Sequence, residues 1–219
     1  MPNGGDLDEA IADFNRAVRL DPDSVQAFEN LGSVKAKKGD LEGAIGDYNQ
    51  AIELNPKDFG AFEKRALTKQ LKGDFEGALS DLIRCVEVAP PGESRDYAQY
   101  SSWLIRVRRG QTAEANRELA AYLGNRRGTT EVDWVSKIGS FLLDQISESD
   151  FLAGATSSDI EKDRAQHCEA WYYAGMKRLL AGDKQTAADC FNKCLGTQEN
   201  SFDEYMLAQA ELKSLGTRN

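Results

Sequence analysis

The side chains best suited to chemistry in this chain cluster late: His167 and Cys168, then Cys190 and Cys194. Residues four apart lie on one face of a helix, so Cys190 and Cys194 share a face. If the region folds as an antiparallel helix pair, Cys168, near the start of the first helix, comes close to the end of the second. Two chemistries follow. His167 with the three cysteines could hold zinc, or Cys168 and Cys194 could close a disulfide. Against both stands packing, since a free cysteine behaves as a small buried hydrophobe. The spacing lacks a metal-binding pattern. Packing is the preferred reading, and no metal or cofactor is expected. His167 is the one histidine of the chain, which removes any metal site built on several histidines. No phosphate loop, nucleophile elbow or dinucleotide fingerprint occurs at its required spacing. The many acid pairs read as solvated helix faces. The chain is therefore expected not to be an enzyme.

The elements that position these residues come from an internal repeat. Gly5-Asp6-Leu7, Gly39-Asp40-Leu41 and Gly73-Asp74-Phe75 recur every 34 residues, and Ala10, Ala44 and Ala78 follow in register, as do Pro22, Pro56 and Pro90. Each marker has a physical task. Gly tolerates the left-handed cap that ends a helix, and Asp accepts hydrogen bonds from the free amides that begin the next. Lys37, Lys38 and Lys72 suit the negative end of a helix. The alanines are small where two helices approach. Phe14, Tyr48 and Leu82 share one larger apolar phase, and Ala17, Ala51 and Cys85 one smaller phase. Proline stops the second helix of each unit, and Asp23 with Gln26 reads as a capping box for the helix that follows. This period and these markers resemble the tetratricopeptide signature. The resemblance implies an all-α, right-handed superhelical solenoid of antiparallel helix pairs.

The pattern loosens towards the end. Gly110 and Ala115 repeat the pair after 37 residues, with Pro90-Pro91-Gly92-Glu93 absorbing the excess, and Gly182 with Ala187 restores it after 72 more. Between them Trp134, Ile138, Phe141, Leu142 and Gln145 keep helical spacing, Ser149-Asp150 would cap a short helix, and Gly154 to Asp159 reads as loop. The expected layout is a lone second helix at 6–20 and helix pairs at 24–55, 58–89 and 94–124. An irregular pair follows at 130–156, then a full pair at 162–196 and a last helix at 201–216. On that last helix Tyr205, Ala208 and Leu212 should pack while Asp203, Glu204 and Glu211 stay in water, so it serves as a cap. In domain terms, 1–124 holds regular repeats with the first incomplete, 125–161 a degenerate repeat, and 162–219 a terminal repeat with its capping helix.

Composition bounds the partners. With 41% hydrophobic and 29% charged residues among 219, the chain is not wholly disordered, and a net charge of −9 argues against sequence-independent nucleic-acid binding. Arg106, Arg108, Arg109, Arg126 and Arg127 are clustered, but read as a solvated helix end and loop. No apolar run approaches the roughly 18–20 residues that span a bilayer, so no transmembrane segment is expected. Four cysteines are too few for a disulfide framework.

The C-terminal half is more particular. Trp134 through Asp150, Cys168-Glu169-Ala170-Trp171-Tyr172-Tyr173-Ala174-Gly175, Gly182-Asp183, and Phe202-Asp203-Glu204-Tyr205 with Glu211-Leu212 together resemble the NlpI-type bacterial lipoproteins. The resemblance, over roughly residues 95–216, implies a helical-repeat adaptor of a bacterial cell envelope. It would recruit proteases or cell-wall hydrolases and could pair as a dimer. Without it, a cytoplasmic location is the default.

In repeats of this kind the first helix of each pair lines a concave face. Phasing on the alanines gives Glu29, Ser33 and Lys37 in one unit and Glu63, Leu67 and Gln70 in the next. Tyr97, Tyr100, Leu104 and Arg108 follow, and later Tyr172, Met176 and Leu180. Tyr and Arg are the residues that most often anchor interfaces, so a protein or peptide in this groove is the expected ligand. Repeat proteins that clamp acidic chaperone tails resemble one another in a Lys/Asn/Arg constellation. Here Glu29 and Ser33 take its first lysine and asparagine positions, Asn30 and Lys64 do not rebuild it, and an acidic tail would meet Glu29 and Glu63. At the front, Leu7, Ile11, Phe14 and Val18 form an apolar stripe without a helical partner. The expectation is a chain cut from a longer one, with a homodimer through the stripe as the alternative.

A solenoid's stability is roughly a sum over repeats and their neighbours, so the irregular unit at 130–156 should be the weakest. Hydrogen exchange is expected to show its lowest protection there; uniform protection across 100–200 contradicts this.

Overall fold

The computed structural model describes residues 4–126 and 133–216, and every regular element among them is an α-helix. In chain order they are α1 (Gly4–Leu20), α2 (Val25–Lys38), α3 (Leu41–Leu54), α4 (Phe59–Lys72), α5 (Phe75–Val88) and α6 (Glu93–Arg108). After them come α7 (Thr112–Asn125), α8 (Trp134–Leu142), α9 (Glu148–Ala153), α10 (Ile160–Leu180), α11 (Lys184–Gly196) and α12 (Asp203–Gly216). From α1 to α5 and from α7 to α12, each helix packs on the next. The chain forms two compact units, Met1–Gln99 and Tyr100–Asn219, whose boundary falls inside α6.

The boundaries follow from local chemistry. Gly39 and Gly73 take φ of 92° and 88°, a conformation that costs a residue with a Cβ. There the amides of Gly39 and Asp40 close back on Ala36 and Lys35, and those of Gly73 and Asp74 on Gln70 and Lys69. The aspartate then opens the next helix: Asp40, Asp74 and Asp183 accept from the amides of Gly43, Gly77 and Thr186 at 3.0, 2.9 and 3.1 Å. Two caps differ from the sequence reading. Ser24, not Asp23, caps α2 by accepting from Ala27, and Gln26 turns instead to Asn30. Ser147, not Ser149, caps α9 by accepting from Asp150. In both, the serine directly before the first helical residue has the geometry to reach the third amide.

Each unit has a core of small residues facing large ones. In the first, Ala44, Ala51, Ala78 and Cys85 have no exposed surface, and Tyr48 and Leu82 are buried beside them. A Cβ placed on Gly32 would stand 2.8 Å from the Tyr48 ring, so α2 is bare where α3 presses its largest side chain. Helix α1 packs on α2, and Leu7, Ile11, Phe14 and Val18 are half-buried. In the second unit Ala187, Phe191 and Cys194 are fully buried. A Cβ on Gly175 would come within 2.7 Å of the Phe191 ring. The degenerate pair compensates for its short helices with an aromatic stack: Phe151 lies between Phe141 and Trp134, with ring centroids 4.2 and 5.1 Å away.

Helix α12 departs from expectation. Its buried line runs through Glu204, Leu207 and Ala208, with Glu211 next in the same register and paired to Arg108 at 2.5 Å. Two carboxylates expected in water are therefore turned inward. They find partners there, since Tyr173 donates to Glu204 at 3.4 Å.

The tight glycine gives a direct check. Gly175→Ala should destabilise the protein by roughly 1–3 kcal/mol through overpacking against a ring with no room to move. Gly46→Ala, at an exposed helical position with nothing within 4 Å, should stabilise it by about 0.5–1 kcal/mol. Urea denaturation of both variants measures the contrast.

Candidate functional site

In the first unit the inward sides of α2 and α4 are committed to their partner helices. Lys35 pairs with Asp47 of α3 at 2.7 Å, and Lys69 with Asp81 of α5 at 2.8 Å, the same contact one repeat later. Arg65 adds both guanidinium ends to Asp81, at 2.9 and 2.6 Å. These charges fix how each first helix rolls on its second and so decide which residues remain outward.

The remaining positions carry the residues expected at the binding row. Glu29 is buried and pairs with Lys64 of α4 at 3.2 Å, tying adjacent first helices together. Ser33 gives its hydroxyl to the Glu29 carbonyl at 2.8 Å and touches the Tyr48 hydroxyl at 3.2 Å. Lys37 is exposed, while Glu63, Leu67, Gln70 and Tyr97 are part-exposed. The accessible members of this unit are thus Lys37, Leu67, Gln70 and Tyr97 with Glu63, whereas Glu29 serves the scaffold.

The second unit corrects the rest of the row. Tyr100 has no exposed surface, and its hydroxyl donates to the Val135 carbonyl at 2.8 Å. Its ring meets that of Tyr173 edge-on at 6.4 Å. Leu104, Tyr172 and Met176 are buried too, and Arg108 is held by Glu211. Tyr100, Leu104, Tyr172 and Met176 are core, not surface, and Arg108 is part-buried: Tyr100 is met by α8 and α10, while α12 packs on α10 and α11 and brings Glu211 to Arg108. Burial, with Glu211 and Glu204 nearby, pushes the Tyr172 hydroxyl well above its ordinary range. Burial first, then the charges of Glu169 and Asp203, does the same to the Glu204 carboxyl.

Three arginines of the basic cluster are likewise held by carboxylates, Arg108 by Glu211 among them, while Arg109 is exposed. Arg106 faces Glu114 and Glu118, and Arg126 faces Asp133; Arg127 lies outside the described residues. Of the residues considered for zinc, Cys168 and Cys194 are brought together at 3.3 Å. Cys190 lies beside Gly175, and His167 turns its ring to the Asp163 carbonyl at 2.8 Å. No group of three ligating side chains is assembled among the described residues.

Sequence reasoning missed an open cleft of about 510 Å³ at the bend between α8 and α9, lined by Phe141, Asp144, Glu148, Lys177 and Arg178 among others. Asp144 stands there with φ of 59°, a left-handed conformation uncommon outside glycine. The basic groups of the cleft are engaged: Lys177 with Asp144 at 2.5 Å and Arg178 with Glu148 at 3.0 and 3.1 Å. The side-chain types around the bend gave no signal of it.

Residues 3–59 match the family model described as tetratricopeptide repeat. The chain has a tetratricopeptide-repeat fold. Two solved structures agree on the fold. A tetratricopeptide repeat protein from Parabacteroides merdae is 19% identical, with a TM-score of 0.53 and coverage of 95% of this chain and 78% of that one. MamA is 16% identical, with a TM-score of 0.51 and coverage of 92% and 97%. YrrB, described as a TPR protein with an unusual peptide-binding site, is 17% identical, with a TM-score of 0.46 and coverage of 91% and 97%. No curated protein matches the chain. No described helix of these repeats is long and apolar enough to cross a membrane.

The raised carboxyl gives a pH dependence with a defined sign. Glu204 keeps its proton in the folded state to a higher pH than in the unfolded chain, so folding loses stability as pH rises above the unfolded value of about 4.3. Glu204→Gln, which still accepts from Tyr173, should therefore melt higher than the parent at pH 7. The gap should close as pH falls towards 4, as thermal melts across that range will show.

Proposed function

We propose that this chain is a non-catalytic scaffold that holds a protein or peptide segment against the first helices of its repeats. The observation carrying the proposal is the division of labour on α2 and α4. Lys35, Arg65 and Lys69 lock each pair internally, while Lys37, Leu67 and Gln70 keep open surface with Tyr97 of α6. A row with an aliphatic, an amide, a cation and an aromatic ring offers both apolar burial and directed hydrogen bonds. Interfaces draw their energy from a few such anchors. YrrB, a repeat protein described as having a peptide-binding site, illustrates such use of the fold without defining this ligand. The narrower reading, recruitment of envelope proteases or cell-wall hydrolases, rests on the stretches that resemble NlpI-type lipoproteins.

A second reading, self-association, draws on α1. None of its described residues is fully buried, and Leu20 is 78% exposed. A second copy laid on the Leu7–Val18 stripe would remove that apolar surface from water.

A photo-crosslinking amino acid placed at 67, 97 or 11 separates the readings. Adducts with other proteins from 67 and 97, weakened at least about tenfold by Lys37→Glu with Gln70→Ala, are the expected result. Adducts formed only between copies of the chain, and only from 11, replace the scaffold reading with self-association.

A further inference from the structure

In the two regular pairs, the positions equivalent to Cys168 and Cys194 carry Val25 with Ala51, and Phe59 with Cys85. There the first position holds a part-buried apolar side chain and the second a fully buried small one. Cys85 shows what a merely buried thiol looks like in this fold: burial, with Glu63 nearby, pushes it up to about 12. The α10–α11 pair alone among these places sulfur on both sides. Cys168 and Cys194 are fully buried, 26 residues apart in the chain, with their sulfurs 3.3 Å apart. A disulfide bond of about 2.05 Å is one small closing movement away. We propose that Cys168 and Cys194 are a redox-modifiable pair that closes to an intramolecular disulfide by exchange with a small-molecule disulfide and so fixes the seat of α12.

The surroundings favour one order of events. The Cys194 thiol hydrogen-bonds Cys168, and with Thr197 holds the Cys168 thiol below its ordinary range; the same contact, with burial, holds Cys194 well above. Cys168 is then the attacking thiolate. It bonds to one sulfur of the incoming disulfide and expels the other half as a thiolate. Cys194 gives up its proton and attacks the Cys168 sulfur of that mixed disulfide, expelling the second half. Two protein thiols are oxidised to one disulfide, one small disulfide is reduced to two thiols, and the two protons end on those.

Access runs through the turn after α11. The Cys194 sulfur lies 3.9 Å from the Glu204 carbonyl, so the first turn of α12 sits over the pair. The connecting turn holds Gln198 at φ of 61° and is latched to α10 by Arg164 donating to Glu199 at 2.7 Å. Lifting this surface turn exposes the thiols without separating α10 from α11. Closing the bond then ties α10 to the end of α11, beneath the place where α12 begins.

The test uses the whole chain and oxidised glutathione. After incubation, acid quench and alkylation in denaturant, free thiols should fall from four to two, and peptide mapping should recover a Cys168–Cys194 crosslink. Cys85→Ser and Cys190→Ser should behave like the parent. Cys194→Ser should instead stop as a glutathione adduct on Cys168. The oxidised parent should melt at a higher temperature than the reduced one, and dithiothreitol should reverse the shift. Four free thiols under conditions that fully oxidise an unstructured dithiol peptide would overturn the proposal. So would a crosslink through Cys85 or Cys190.

Discussion

The structure depends on a helix that is bare where its neighbour is bulky. Tyr48 presses on Gly32, and Phe191 on Gly175, at the same separation in the chain. Ala66 and Leu82 take those places in the middle repeat, and both are buried. Close approach of the two helices lets the small alanines and cysteines of the second helix vanish into the core. It also sets the length of each hairpin, because the ring must arrive opposite the gap. The Gly-Asp turn between the helices is short for this reason. A left-handed glycine and an aspartate cap reverse the chain in two residues, and any longer link would move the ring out of register.

Charge follows packing in this fold. Once the helices are close, Lys35 and Lys69 lie where Asp47 and Asp81 can meet them. The cost of burying Asp47, which pushes its carboxyl up, is offset in part by Lys35. Removing one partner would strand the other in a partly dry site, which costs more than the pair contributes. These pairs are best understood as fixing rotation. A first helix that rolled by one residue would break the ion pair and carry Leu67 or Lys37 to a different face.

Helix positions were legible because their signals are local. Gly39, Gly73, Asp40 and Asp74 act within a few residues of themselves, so one chain suffices to read them. The displaced caps at Ser24 and Ser147 show the limit of that reading: a cap is defined by where the first helical turn settles, and packing shifts it by a residue or two. The candidate row was legible only where partners are few. Lys37 and Leu67 keep accessible surface where the period alone would place it. Tyr100, Leu104 and Arg108 follow the same period, yet Tyr100 and Leu104 end in the core and Arg108 is held by Glu211 of α12. The inward side of α12 carries buried Glu204 and part-buried Glu211, which any hydropathy pattern places in water. Their partners, Tyr173 and Arg108, lie far away in sequence.

That misreading has a physical content of its own. In the second unit, first-helix positions that a repeat would leave open are occupied by the chain's own α12, an amphipathic helix whose carboxylates answer an arginine and a tyrosine. Apolar burial alone would have been satisfied by a stripe of leucines. Placing Glu204 beside Glu169 raises the free energy of the charged form and leaves the helix held partly by hydrogen bonds, which act only at one registration. A cap so held is specific rather than merely adhesive: Glu211 meets Arg108 and Glu204 meets Tyr173 within its own unit.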